Sequence, residues 1–245
     1  MSRQFDGTTA RKLEINSAVL TGTPLTLAAW FRSNSITAAQ SILTISNGGT
    51  TANYFRISAH GSVGGDPLRA QTAGGSYHSA DSTSGYSANV WHHGCGVFTS
   101  SASVKVYLDG GNSATDNPGV TPTGLDTTTI GSEDNGGVYN QPFDGEIANA
   151  VIYNVALTDA EVLSLSLGCS PLLVRPGNIA AYWHLIGNDS PEPDFVGGFD
   201  MAVTAAVKAE QPRIIMPRGA YFPGIVPVTA SFAYRKNPLN FHLMR

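Results

Sequence analysis

Charge is scarce in this chain: Asp, Glu, Lys and Arg together make up 13% of its 245 residues. That scarcity excludes coiled coils and charged helical bundles, whose outer faces depend on interleaved acids and bases. Cysteine is nearly missing. Only Cys95 and Cys169 occur, in no CxxC pair or ligand-spaced group, so zinc and thiol-redox motifs are excluded and both read as small buried hydrophobes. No apolar run reaches the ~18 residues that span a bilayer, and no charged segment followed by an apolar one opens the chain. The expectation is a protein made in soluble form in the cytoplasm, without a membrane partner. Glutamate is rare as well. Glu14, Glu133, Glu146, Glu161, Glu192 and Glu210 are the full set, and no two stand two or four positions apart.

Hydrophobic residues make up 42%, beside 27 glycines and 14 prolines, the composition of many short strands joined by tight turns. One large all-β domain plus an appendage suits this length. Residues 1–210 carry 9 basic and 18 acidic residues, a net of −9, whereas 211–245 carry Arg213, Arg218, Arg235, Lys236 and Arg245 with no acid. An acidic body therefore bears a basic tail. Its cations are scattered among Pro, Tyr, Phe and Leu instead of clustered, which favours docking on protein over nucleic acid.

Alternation marks the strands. Leu25, Leu27, Ala29 and Phe31 oppose Thr26, Ala28, Trp30 and Arg32, a strand over 25–32 with both faces partly covered. Segments 41–46 and 54–59, around the Asn47-Gly48-Gly49 turn, predict a hairpin. The Gly/Ser/Thr/Ala-rich stretch 61–85 reads as weak strands and exposed loops that pack little. Strands follow at 90–98, 103–108 (ended by Asp109-Gly110-Gly111), 128–131, 145–153, 178–185 and 199–207. One helix starts at Thr158, whose hydroxyl and Glu161 form a capping box; Leu163 and Leu167 make its expected buried stripe and Gly168 its stop. From 211 onward Pro212, Pro217, Pro223, Pro227 and Pro238 predict an extended or edge-like docking tail.

An ordered series runs through the first two thirds of the chain: Phe5-Asp6-Gly7, Leu25-x-Leu-x-Ala-Trp30, Trp91-His-His93-x-x-x-Val97, Val106-Tyr-Leu-Asp109-Gly110 and Phe143-Asp-Gly-Glu-Ile147 through Val151-Ile-Tyr153 to Glu161. It resembles the laminin-G-like branch of the concanavalin-A-like jelly rolls. The Asp-Gly turns close hairpins, and the Trp and His are expected to fill space between two stacked sheets. Ile179-Ala-Ala-Tyr182-Trp183-x-Leu185 and Pro191-Glu-Pro-Asp194 resemble the form of this module in tailed bacteriophages. The resemblance implies an all-β antiparallel sandwich with one short helix, and a non-catalytic virion protein. That protein would be a capsid decoration or cement subunit, or another exterior particle subunit, held through its tail to partners such as the major capsid protein and expected to be a homo-oligomer. The alternative reading is a carbohydrate-binding module for host attachment or adhesion.

Retaining glucanases of this fold use a Glu-x-Asp-x-x-Glu array, which is missing here. Glu133 with Asp134, and Asp144 with Glu146, are the local acid pairs weighed for catalysis, and turn and strand geometry speaks against acid/base work by either. No Gly-x-Ser-x-Gly elbow is present. His92 and His93 point to opposite faces of a strand and cannot hold one ion, leaving His93 as a satisfied core residue. No enzyme, no resident cofactor and no metal site is expected. Calcium, which the resemblance raises, would fall to Asp109, Asp116, Asp126 and Asp134-Asn135, although turn chemistry explains each equally well. Tyr77, Tyr86 and Tyr139 are the aromatic candidates for stacking on a sugar, with Tyr153 assigned to the core.

Overall fold

A computed structural model describes residues 2–187, 189–210, 212, 214 and 215. In chain order the strands are β1 (Ser2–Asp6), β2 (Lys12–Ile15), β3 (Leu25–Ser33), β4 (Ala39–Ser46), β5 (Asn53–His60), β6 (Pro67–Gly74), β7 (Tyr77–Gly85), β8 (His92–Ser100) and β9 (Ser103–Leu108). They continue with β10 (Gly111–Asp116), β11 (Thr127–Ile130), β12 (Glu133–Asp134), β13 (Tyr139–Asn140), β14 (Asp144–Tyr153), β15 (Ile179–Trp183), β16 (Ala202–Thr204) and β17 (Val207–Ala209), with helix α1 (Asp159–Ser166) between β14 and β15.

Two antiparallel sheets form a jelly-roll sandwich. The first runs β10-β9-β8-β3-β14-β1-β17, with β15 also on β14; the second runs β16-β2-β11-β4-β5-β6-β7, and β12 and β13 form a separate small hairpin. Strand alternation sends Leu25, Leu27, Ala29 and Phe31 of β3 inward against Leu43, Ile45, Phe55 and Ile57 of the second sheet, all buried. Gly94 and Gly96 share that inner face of β8. A methyl on Gly96 would lie 2.8 Å from Ile57 and 3.0 Å from Ala70, so glycine is what lets the two layers approach there.

The outer face of the first sheet is covered too. Ala28, Cys95, Val97, Val151 and Tyr153 pack beneath α1 and its flanking loops as a second apolar cluster. Here α1 corrects the expected stripe. Val162 and Leu165 are buried, whereas Leu163 and Leu167 are 45% and 70% exposed, because the helix meets the sheet one position away from the apolar pair chosen. Its Thr158–Glu161 capping box forms as expected, and Gly168 ends it at φ 91°. The aromatic filling differs as well. His93 and Trp30 meet edge to face at 5.5 Å on this outer side, and Trp183 is the tryptophan in the intersheet core. His93 is buried, yet its Nδ1 has no partner among the described residues, so it is not the fully satisfied histidine expected. Cys95 is buried and Cys169 only half-buried.

Three strand readings are corrected. Residues 61–85 form the long strands β6 and β7, and most of β6 is buried despite its small, polar composition. β10, read as loop, pairs with β9 across the Asp109-Gly110 turn, where both residues take positive φ. The single strand expected at 199–207 is two: β16 pairs with β2 in the second sheet and β17 with β1 in the first, and Ala205 at φ 53° makes the crossing. Buried Arg3 anchors that crossing, giving Glu192 two bonds of 2.7 and 2.9 Å and Ala206 a third through its carbonyl.

The tail expected over 211–245 lies outside the described residues except for positions 212, 214 and 215. Ile215 bridges in parallel to Cys169, donating to the Gly168 carbonyl at 2.7 Å and accepting from Ser170 at 2.9 Å. No helix among the described residues is long and apolar enough to cross a membrane.

Candidate functional site

The inner face of the second sheet is apolar, so its strands' alternate residues must project outward, and in the three rows that cross β5, β6 and β7 all of them but Ala73 carry a polar group. Tyr54, Ala73 and Tyr77 stand in register across β5, β6 and β7; Arg56, Gln71 and Ser79 form the next row, and Ser58, Arg69 and Asp81 the third. Arg56 donates through Nε to Gln71 Oε1 at 2.6 Å, and Ser58 donates to the same oxygen at 2.7 Å. Gln71 in turn donates to the Tyr77 hydroxyl. Arg69 is held by Asp81 at 2.8 Å. The β12–β13 hairpin lies beside these rows and sends Glu133 onto Arg56, a pair with both side chains 2% exposed. The Arg56 guanidinium also sits 4.7 Å from the Tyr54 ring.

This face keeps hydrogen-bonding capacity in reserve. Among the described residues, Ser46 Oγ, His60 Nε2, Arg69 Nε, Asp81 Oδ1, Glu133 Oε1 and Gln141 Oε1 are buried without a partner. Orphaned polar atoms are costly, and a concentration of them on one face marks a place where a ligand or ordered water completes the bonding. Burial pushes the His60 imidazole down to about 4, with Arg69 and Arg56 adding to the effect, so it is neutral at pH 7. Burial likewise raises the Glu133 carboxyl, against the pull of Arg56. At the edge of the sheet Tyr77 is 48% exposed, and a groove of about 290 Å³ opens beside Asp81, lined by Gly64, Gly65, Pro67, Ser82 and Ser84. Tyr77 and Asp81 lie four residues apart on one strand, ~13 Å at the usual rise, which leaves room for more than one sugar-sized ring. The face thus sets one exposed ring, Tyr77, at the edge of a buried network of planar hydrogen-bonding groups.

The three tyrosines singled out by sequence part company. Tyr77 is exposed as described. Tyr86 is corrected to a core residue, 3% exposed, edge-on to Phe31 and donating to the Ser35 carbonyl at 3.1 Å. Tyr139 lines a separate groove of about 440 Å³ with Lys12, Glu14, Asn16 and Thr204, but Lys12 Nζ sits 2.7 Å from its ring centre and occupies that face. Tyr153 is buried in the core.

The acids are engaged. Glu146 grips Arg32 through both oxygens at 2.5 and 2.8 Å, and Asp144 accepts from Asn34 at 2.8 Å, so neither is poised as a proton shuttle. Asp109 accepts from His92 Nδ1 and from the His93 amide, both at 2.8 Å, while Asp116 faces His78 at 3.5 Å. Asp126 and Asp134 do converge at the Gly48 turn, where they accept from the Gly48 and Gly137 amides, and Asn135 accepts from Ala52. Among the described residues, no three His, Cys, Asp or Glu form a metal-holding group.

Sequence reasoning missed Arg56, Arg69, Gln71 and Asp81. The signal was there as strict alternation in Phe55-Arg-Ile-Ser-Ala59 and Leu68-Arg-Ala-Gln71, obscured in the second by its low hydrophobicity.

Two stacked antiparallel sheets in this strand order define a jelly-roll sandwich. A family model described as the concanavalin A-like lectin/glucanases superfamily, of laminin-G type, matches residues 6–163, and the chain belongs to that family. No curated protein matches the sequence. Among solved structures, a Bacteroides ovatus protein whose name proposes carbohydrate binding is 18% identical, with a TM-score of 0.63 over 87% of this chain and 61% of that one. A heptameric SAP-like pentraxin from Limulus polyphemus is 17% identical, with a TM-score of 0.55 over 67% and 81%. The CBM40 module of a Ruminococcus gnavus sialidase is also 17% identical, with a TM-score of 0.53 over 64% and 96%. At these identities the likeness is one of fold.

Proposed function

We propose that this protein is a non-catalytic carbohydrate-binding domain whose ligand lies on the outer face of the second sheet, along β6 and β7. The observation that carries the reading is exposed Tyr77 at the edge of a polar sheet face on which Arg69 Nε and Asp81 Oδ1 have no partner among the described residues. Sugars present hydroxyls that both donate and accept, and apolar ring faces that stack on aromatics, which is the complement of this surface. Structures of the same fold include the CBM40 module bound to sialyllactose and a domain of a Geobacillus stearothermophilus arabinanase in complex with arabinotriose, which supports the reading by analogy of fold. The engaged state of Asp144, Glu146 and Glu133 supports a role without chemistry.

Tyr77→Ala is expected to weaken glycan binding about tenfold, measured by calorimetry against a ligand found on a glycan array. The thermal transition should drop modestly, because the half-exposed ring lies on an edge strand while its hydroxyl accepts from buried Gln71. Undiminished affinity would remove this face from consideration.

A second reading, an exterior virion subunit docked through residues 211–245, draws on the opposite charge of body and tail and on the seating of Ile215 against Cys169. A chain ending at Ile215 keeps that pairing, so it should fold normally yet no longer join the particle. Normal incorporation of the shortened chain counts against docking by the tail.

A further inference from the structure

The cations of the body are almost all spoken for. Of the nine lysines and arginines between residues 2 and 210, eight sit within 3.0 Å of a carboxylate, and Lys208 on β17 is the exception among the described residues. On the candidate face both guanidiniums are committed, Arg56 to Glu133 and Arg69 to Asp81. Acidic sugars are ordinarily gripped by a guanidinium through paired, charge-assisted bonds. Here such a grip would first have to displace a resident carboxylate.

The orphaned atoms point the same way. Among the described residues, Asp81 Oδ1, Glu133 Oε1 and Gln141 Oε1 are acceptors without a donor, Arg69 Nε is a donor without an acceptor, and His60 Nε2 takes either role according to its tautomer. A hydroxyl satisfies either kind, whereas a carboxylate or sulfate can only accept and would face the Asp81 and Glu133 oxygens. Across residues 1–210 the formal charge of −9 adds a field that repels anions on approach.

Resting on the glycan-binding reading, we propose that this face selects neutral, hydroxyl-rich oligosaccharides and rejects sialylated, sulfated or uronic-acid ones. Its charge is balanced internally by Arg56–Glu133 and Arg69–Asp81, so recognition runs through hydroxyls and not through ion pairing.

The test is an array carrying each neutral oligosaccharide beside its acidic counterpart, probed with the full chain at low and high salt. Signal is expected on the neutral members, changing by about twofold or less with salt because no net ion pair forms. Asp81→Asn releases Arg69 and should gain at least about tenfold in binding to the sialylated member of a pair. Wild-type preference for acidic members, fading with salt, overturns the selectivity while leaving glycan binding in place. Silence across the whole array overturns the glycan reading itself, and the selectivity with it.

Discussion

Replacing Glu133 with alanine is expected to destabilise the domain by about 3–5 kcal/mol, because it strands Arg56 as a buried, uncompensated charge. Arg56 is 1% exposed, and its other contacts, Gln71 and the Tyr54 ring, are neutral and cannot replace a carboxylate. The loss should therefore far exceed what an exposed ion pair contributes, about 0–1 kcal/mol. The double variant Arg56→Met with Glu133→Leu removes both charges while keeping volume, and should recover most of the loss. Urea unfolding at pH 7 checks both. A loss below about 1 kcal/mol for Glu133→Ala would mean that water reaches Arg56 and that this face is open in solution.

Acid should weaken the fold well before ordinary carboxylates titrate. His60, His93 and His184 are each pushed down to about 4 by burial. Unfolded, these imidazoles protonate near 6.5. Between pH 6.5 and 4 the unfolded chain therefore binds more protons, so their stabilisation is complete above 6.5 and lost as pH falls toward 4. For His93, fully buried against Trp30, the loss is on the order of 3 kcal/mol. Glu133 and Asp134 run the opposite way, since burial raises their carboxyls, and they offset part of the slope. Denaturation midpoints at pH 7 and pH 4.5 give the expected drop. His93→Phe keeps a ring beside Trp30 and removes one titrating site, so its profile should be flatter; an unchanged slope would mean His93 is not held neutral.

Alternation in β3, β5, β9 and β14 was legible because half of each strand is strongly apolar. The capping box at Thr158 was legible because it is local, resting on two residues three apart. β6 and β7 were not, since both are poor in apolar residues: the burial of β6 comes from its neighbours, and β7 is an edge strand with only Ala80 and Ser82 buried. The same holds for the face of α1: the apolar pair Leu163 and Leu167 lost to Val162 and Leu165 because the sheet, not the helix, sets the contact.

By itself the sequence determined an all-β chain, its hairpin turns and the want of a Glu-x-Asp-x-x-Glu array, since each follows from short-range pattern and residue type, while the stacking of two sheets was implied by its resemblance to a family. Tertiary structure alone decided which polar residues came together on one face. Arg56 and Glu133 are 77 residues apart, and their pairing depends on a hairpin laid beside a sheet, as does the commitment of each guanidinium to its own carboxylate. Charge compensation is a property of positions in space, and composition records only that charges are few.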